Sequence, residues 1–298
     1  MTQTNCRVLV TGANGFIGKN LLVRLGELPG YTSIQFVRGD NPDTLPNLVA
    51  QADAVVHLAG ENRPVDESAF ETVNAGLTEA LCNAIQGETN STGRRIPLIL
   101  ASSTQAERDN PYGRSKLAAE QAVYRLAEST GNPVVVFRLP GVFGKWCKPN
   151  YNSVVATFCH NIARGLPIQI NDPTASLKLV YVDDVVDALL CAADAPAPAR
   201  PLFNVVDTSR ITQQDYLARC RRKLGDEIKV VRVPRWMFML LGFGVEQLGK
   251  VLRRDVPLTR YRVRSLRPLA NFDTTAARAD LGWTPRTGVE KGLDATFG

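Results

Sequence analysis

Five short apolar runs punctuate the first half of the chain, and their spacing limits the fold more than any other feature. They are Arg7 to Thr11 (RVLVT), Ser33 to Val37 (SIQFV), Ala54 to Leu58 (AVVHL), Ile96 to Leu100 (IPLIL) and Val134 to Phe137 (VVVF). Helically spaced stretches separate most of them: Phe16 to Leu28, Ser68 to Ile85 and Tyr112 to Ser129. Strands that are apolar along their whole length must be covered on both faces, and helices between strands supply the cover. The pattern predicts an α/β fold with a doubly wound parallel sheet.

Beyond about residue 140 the alternation loosens. Gly141 to Asn152 (GVFGKWCKPNYN) reads as a loop and Val154 to Arg164 as a helix. Leu177 to Val182 leads into a helix capped by Asp183 or Asp184, Leu202 to Val206 reads as a last parallel strand, and Thr212 to Leu224 as a helix. Asp273 or Thr274 is expected to cap Ala276 to Leu281. The expected layout is a Rossmann-like domain over residues 1–165 carrying the catalytic groups. A smaller, mainly substrate-binding lobe over 166–298 is interleaved with it.

The turn between the first strand and the first helix reads TGANGFIG. There Gly12 permits the tight turn, Gly15 lets backbone approach a pyrophosphate, and Gly18 lets helix and strand pack closely, while the helix N-terminus attracts the anion. Gly12, Asn14, Gly15, Phe16, Ile17 and Gly18 are therefore the expected dinucleotide cradle. The residue that reads the ribose should follow about 20 positions later, and Arg38 stands there. A guanidinium suits the 2′-phosphate of NADP, whereas an acid suits the free 2′-hydroxyl of NAD. Arg38 gives the expectation of NADP(H), with Asp40 the competing reader.

Other chemistries are narrowed by what the chain lacks. No apolar run approaches the 18 or so residues of a membrane span, and the start, MTQTNCRVLVTG, enters a strand pattern at once. A cytoplasmic protein without an integral membrane segment is expected. The six cysteines form no CxxC pair, and two histidines, His57 and His160, cannot build a His-rich centre; no metal is expected. Residues 200–298 hold 19 Lys/Arg against 10 Asp/Glu, in clusters such as RCRRK at 219–223. No nucleic-acid motif accompanies them, so a solvated basic face, an anionic membrane surface or a phosphorylated small molecule is expected rather than nucleic acid.

Tyr112 and Lys116 lie four apart and so share one helix face. An ammonium beside a phenol favours the phenolate, which lets the tyrosine act as acid or base near neutral pH. With TGxxGxxG, HLAG at 57–60, Asn74, ASS at 101–103 and YGRSK at 112–116, the chain resembles the extended short-chain dehydrogenase/reductases as far as about residue 190. HLAGENRP, SSTQAERDNPYGRSK, FGKWCKPNYNSVVATFC and LVYVDDVV further resemble the reductase domain of bacterial capsular-polysaccharide enzymes that reduce UDP-4-keto-6-deoxy-N-acetylhexosamines. Those enzymes carry a cupin domain; this sequence ends instead in NFDTTAARADLGWTP, which resembles the tail of extended nucleotide-sugar epimerases and reductases.

The resemblance implies an NADPH-dependent reductase of a UDP-sugar 4-ketone. Ser103 would bind the carbonyl oxygen, Tyr112 protonate it, Lys116 hold the nicotinamide ribose, and Leu58, Ala59 and Gly60 line the cofactor. Lys148, Asn150 and Asn152, in the loop beyond the fifth strand, and Lys178, where relatives often carry an arginine, are the expected diphosphate ligands, with Arg267 a further candidate. Pairing into a homodimer is common in the family. Thr104 and Gln105 stand where a dehydratase would need an acid and a base, which disfavours dehydration. The alternatives are a nucleotide-sugar 4-epimerase with retained NAD and a non-catalytic dinucleotide sensor.

Overall fold

Val8 and Val10 point to one face of the first strand and Leu9 to the other, and all three are buried. That alternation holds along a sheet covered on both sides. The computed structural model describes residues 5–61, 70–151, 153–170, 173–194, 201–205, 207, 211–225, 228–232 and 273–297. The chain begins with β1 (Cys6–Thr11), α1 (Phe16–Glu27), β2 (Tyr31–Phe36), α2 (Leu45–Gln51) and β3 (Ala54–His57). A π-helical stretch, Phe70–Gly76, runs into α3 (Leu77–Thr92), followed by β4 (Leu98–Ser103), a 3-10 turn (Thr104–Glu107), α4 (Pro111–Thr130) and β5 (Val134–Leu139).

Shorter elements follow: β6 (Gly141–Phe143), α5 (Val154–Ala163), β7 (Ile168–Ile170), β8 (Ser176–Leu177), β9 (Leu179–Tyr181), α6 (Val182–Asp194) and β10 (Leu202–Asn204). The described chain closes with β11 (Ile211–Thr212), α7 (Gln213–Leu224), β12 (Val230–Arg232), α8 (Thr275–Leu281) and α9 (Gly288–Phe297). Six strands form one sheet in the order β2-β1-β3-β4-β5-β10, every pair parallel. The expected doubly wound sheet is present, with β10 as its last strand. Because the chain moves from β1 to β2 on one side and then to β3 on the other, a crevice opens at the carboxyl ends beside β1.

One face of the sheet packs Val8, Val10, Val56 and Phe137 against Leu21 and Leu25 of α1 and Val185 and Leu189 of α6. The other packs Leu9, Val55 and Val136 against Val49, Leu81, Ile85, Val123 and Leu126 of α2, α3 and α4. A third core, with Phe143, Phe158, Ile170, Tyr181, Tyr216 and Leu293, gathers the later segments. No helix among the described residues is long and apolar enough to cross a membrane.

One expectation about caps changes. Asp184 lies in the first turn of α6 but does not cap it: its carboxylate accepts the backbone N–H groups of Thr287 (2.8 Å) and Gly288 (2.9 Å), at the start of α9. At α8, Asp273 accepts from the Thr275 N–H (2.9 Å). Part of the basic cluster is spent internally, Arg219 pairing with Glu290 and Lys223 with Asp294 between α7 and α9. Arg253, Arg254, Arg260, Arg262 and Arg264 lie outside the described residues.

Candidate active site

Gly12 adopts φ +69°, and a methyl group there would lie 2.7 Å from the Ala59 nitrogen; only glycine allows both. Gly18 runs still closer, its added carbon falling 2.4 Å from the Gly12 oxygen. The turn therefore brings β1, the end of β3 and the start of α1 into backbone contact. Gly15, the residue before α1, offers no side-chain cap, which leaves the first-turn N–H groups of a twelve-residue helix for an anion. A dinucleotide pyrophosphate fits this donor set.

The floor beside the turn is a buried polar chain. His57, fully buried, lies between the Thr11 (2.6 Å) and Thr78 (2.9 Å) hydroxyls. Thr78 donates to the Asn74 carbonyl (2.6 Å), so it must accept from Nε2–H, and Nδ1 accepts from Thr11. Burial, aided by Lys116, pushes His57 down to about 3; it is a neutral structural group. Asn74 clamps Glu61 at both backbone groups, accepting from its N–H (2.7 Å) and donating to its carbonyl (3.1 Å), and also donates to Ser115 (3.0 Å).

The catalytic candidates converge from two elements. Ser103 ends β4, buried, and its hydroxyl accepts the Gln105 N–H (3.2 Å). Asn110 caps α4 by accepting from Gly113 (2.8 Å) with Pro111 behind it, which sets Tyr112 and Lys116 on the first turns. Both are buried, and Phe70 tilts against the Tyr112 ring at 5.6 Å. Lys116 donates to the Ala101 carbonyl (3.3 Å), two residues before Ser103. Burial lowers Lys116 to about 8, while Glu120 one turn further raises it. Gly60 passes over this ammonium so closely that a methyl there would meet it at 3.1 Å.

Several further residues support this arrangement. Gly113 packs so tightly that an added carbon would sit 2.2 Å from the Arg108 oxygen and 2.5 Å from that of Gln105. Fully buried Glu120 accepts from Ser102 (2.5 Å) and from both Nε (2.9 Å) and Nη2 (2.6 Å) of Arg138, which also reaches Glu107 (2.8 Å). Arg138 is thus an anchor between β5 and α4. Gln105 Oε1 is buried without a hydrogen-bond partner among the described residues, two positions past Ser103.

Of the expected diphosphate ligands, Lys178 lies half-buried between β8 and β9, its carbonyl accepting from Gly141 (3.2 Å) at the start of β6. Since Ser103 pairs in register with Leu139, Lys178 enters beside the same strand end. Lys148 and Asn150 are exposed on the following loop, Asn150 at φ 56°. Asn152 and Arg267 lie outside the described residues. No cluster of three metal-ligating side chains occurs among the described residues.

The model of the NAD dependent epimerase/dehydratase family matches residues 8–205. Over 188 residues the chain is 52% identical to the UDP-2-acetamido-2,6-beta-L-arabino-hexul-4-ose reductase of Pseudomonas aeruginosa, covering 63% of this chain and 50% of that protein. The chain thus spans about half the length of that relative. In three dimensions it is similar to the UDP-glucuronic acid 4-epimerase of Bacillus cereus, solved with UDP-glucuronic acid and NAD (TM-score 0.75, 18% identity, 98% of both chains). It is also similar to MoeE5, solved with UDP-glucuronic acid and NAD (TM-score 0.73, 21% identity, 98% of this chain and 97% of that one).

These structures overturn the expectation of NADP(H): the UDP-glucuronic acid 4-epimerase and MoeE5, which align over nearly the whole chain, were each solved with NAD. The residue behind that expectation is engaged elsewhere. Arg38 Nη2 pairs with Glu61 Oε2 at 2.5 Å, so its charge is already answered by a carboxylate. Asp40 folds back to accept the Val37 N–H (2.7 Å) and closes the turn after β2.

Proposed function

The chain belongs to the NAD dependent epimerase/dehydratase family, and from that membership we propose that it is an NAD(H)-dependent oxidoreductase acting at C4 of a UDP-linked sugar. The observation that carries this reading is the burial of Ser103, Tyr112 and Lys116 around the carboxyl end of β4, beside a glycine turn suited to pyrophosphate. The turn Gly12, Asn14, Gly15, Phe16, Ile17 and Gly18 would hold the diphosphate, Leu58 to Gly60 would border the nicotinamide half, and Lys116 would hold its ribose. When bound, NAD supplies the hydride exchange at C4.

The chain's own groups handle the proton. Tyr112 takes the proton that O4 loses on oxidation and returns it on reduction, the Ser103 hydroxyl donates a hydrogen bond to O4, and the Lys116 ammonium favours the phenolate. The open acceptor of Gln105 suits a sugar hydroxyl. Lys178, with Lys148 and Asn150, would meet the UDP diphosphate.

Whole-chain likeness to 4-epimerases solved with NAD favours inversion at C4 with the dinucleotide retained. A second reading, net reduction of a 4-ketone, is favoured by the 52% identity to a hexulose reductase. One pair of assays separates them. Proton NMR of UDP-hexoses and UDP-N-acetylhexosamines incubated with the protein reads inversion at C4, and loss of NADH absorbance with a UDP-4-keto-6-deoxyhexosamine reads reduction. Inversion without added NADH supports the first and stoichiometric NADH loss the second; neither, together with no dinucleotide binding, overturns the proposal.

A further inference from the structure

The Arg38–Glu61 ion pair joins elements that the sheet keeps apart. Strands β2 and β3 flank β1 on opposite sides, so their ends lie roughly 10 Å apart, two strand spacings. Arg38 follows β2 and Glu61 follows β3, and the pair therefore crosses the carboxyl end of β1, where the glycine turn begins. Its two members are held unequally. The Arg38 side chain is 82% exposed and that of Glu61 only 11%.

Glu61 is fixed on three sides. Asn74 clamps its backbone at 2.7 and 3.1 Å, the Tyr151 hydroxyl donates to Oε1 at 2.9 Å, and Oε2 accepts from Arg38 at 2.5 Å. Asn74 is itself tied to Ser115, the neighbour of Lys116. The carboxylate is thus a pre-placed negative charge, and the exposed guanidinium is the group drawn to it. A 2′-phosphate arriving at Arg38 would meet a cation already paired and a fixed anion beside it, whereas a 2′-hydroxyl adds no charge to that site.

We propose that Glu61 is the specificity-determining residue for the dinucleotide, excluding NADP(H) by holding Arg38 in an ion pair across the crevice. The proposal rests on the reading that the chain uses NAD(H). It places the choice of cofactor at the end of β3 and outside the usual ribose-reading position, which alone would have favoured the phosphorylated dinucleotide. Through Tyr151 the same carboxylate also links that choice to the loop beyond β6.

The test is calorimetric titration of the full chain with NADH and with NADPH, for the wild type, Glu61→Gln, Arg38→Ala and the double variant. Glu61→Gln keeps the backbone contacts with Asn74 and removes only the charge. It should raise NADPH affinity about tenfold, the scale of one charge-assisted hydrogen bond, with little change for NADH, and the gain should vanish in the double variant. Arg38→Ala alone should leave NADPH affinity nearly unchanged, because the guanidinium is already neutralised. Wild-type preference for NADH with no NADPH gain in Glu61→Gln overturns this proposal and leaves the NAD reading standing. A tenfold loss of NADPH affinity in Arg38→Ala overturns it as well, even if Glu61→Gln does not fold. Wild-type preference for NADPH instead removes the NAD reading itself.

Discussion

Lys116 is placed where its charge is least welcome. Burial outweighs the help of Glu120 and takes its pKa from 10.5 to about 8, so the folded state releases the proton more readily than the unfolded chain does. Between about pH 8 and 10.5 the unfolded state binds more protons, and stability rises with pH across that window; below it the buried ammonium lowers stability by about 3 kcal/mol. Lys116→Met should therefore melt several degrees higher than the wild type at pH 7, lose the rise between pH 8 and 10, and lose most turnover. A lower melting temperature at pH 7 would contradict the account. Tyr112 is the complementary case: Tyr112→Phe removes only the hydroxyl, so kcat should fall about 100-fold or more, the scale of one general acid or base, while NADH titration is unchanged. Near-normal turnover would move the proton chemistry to another group. His57 is not that group, since with two hydroxyl partners and a pKa near 3 it stays neutral.

Helix α4 shows what an element needs beyond its motif. Eight residues join Ser103 to Tyr112, and the 3-10 turn and the helix start fold onto each other tightly enough to put Gly113 against two carbonyl oxygens. Alanine would gain about 1 kcal/mol in helix propensity, but contacts at 2.2 and 2.5 Å with backbone cannot be relieved by a side-chain rotation. Gly113→Ala should therefore destabilise by about 1–3 kcal/mol and cost more in kcat than in NADH affinity, because it shifts Tyr112 and Lys116 relative to Ser103; equal losses would mean a general unfolding effect. The core strands and this helix were legible in the sequence because their signals are local: apolar runs, helical spacing, and two residues one turn apart. The π-helical stretch was not, since Ser68 to Ile85 carries ordinary helical spacing. There Asn74 bonds Glu61 and Ser115, partners 13 and 41 residues away that no local pattern records. Glu61 was unreadable for the same reason, its meaning depending on Arg38 before it and Tyr151 ninety residues after it.

At the scale of the whole molecule, the later segments are fastened to the sheet by a few buried polar contacts. The short strands β6 to β9 follow no periodicity, being two or three residues long, and they exist only through distant partners. Asp184 is the central fastener. On α6, which packs against the sheet, its carboxylate takes the N–H groups of Thr287 and Gly288, and its carbonyl takes the Trp283 indole N–H (2.9 Å). Asp207 adds the Val289 N–H (2.7 Å), so two carboxylates cap the positive end of α9. The cap holds Val289 and Leu293 in the third core and sets Gly292 directly against the Tyr181 ring of β9, the strand that begins one residue after Lys178. Asp184→Ala removes two charge-assisted bonds and leaves their donors to find water. The expected cost is about 2–4 kcal/mol, concentrated in α8 and α9. Hydrogen exchange should show the amides of residues 275–297 losing protection while β1, β3 and β4 keep theirs, with NADH affinity unaltered because Asp184 bonds the start of α9 and Trp283 and no residue of the glycine turn. Uniform loss of protection across the sheet would show that the later segments and the dinucleotide half unfold as one unit, and no loss in α9 would show that Asp207 alone suffices to hold it.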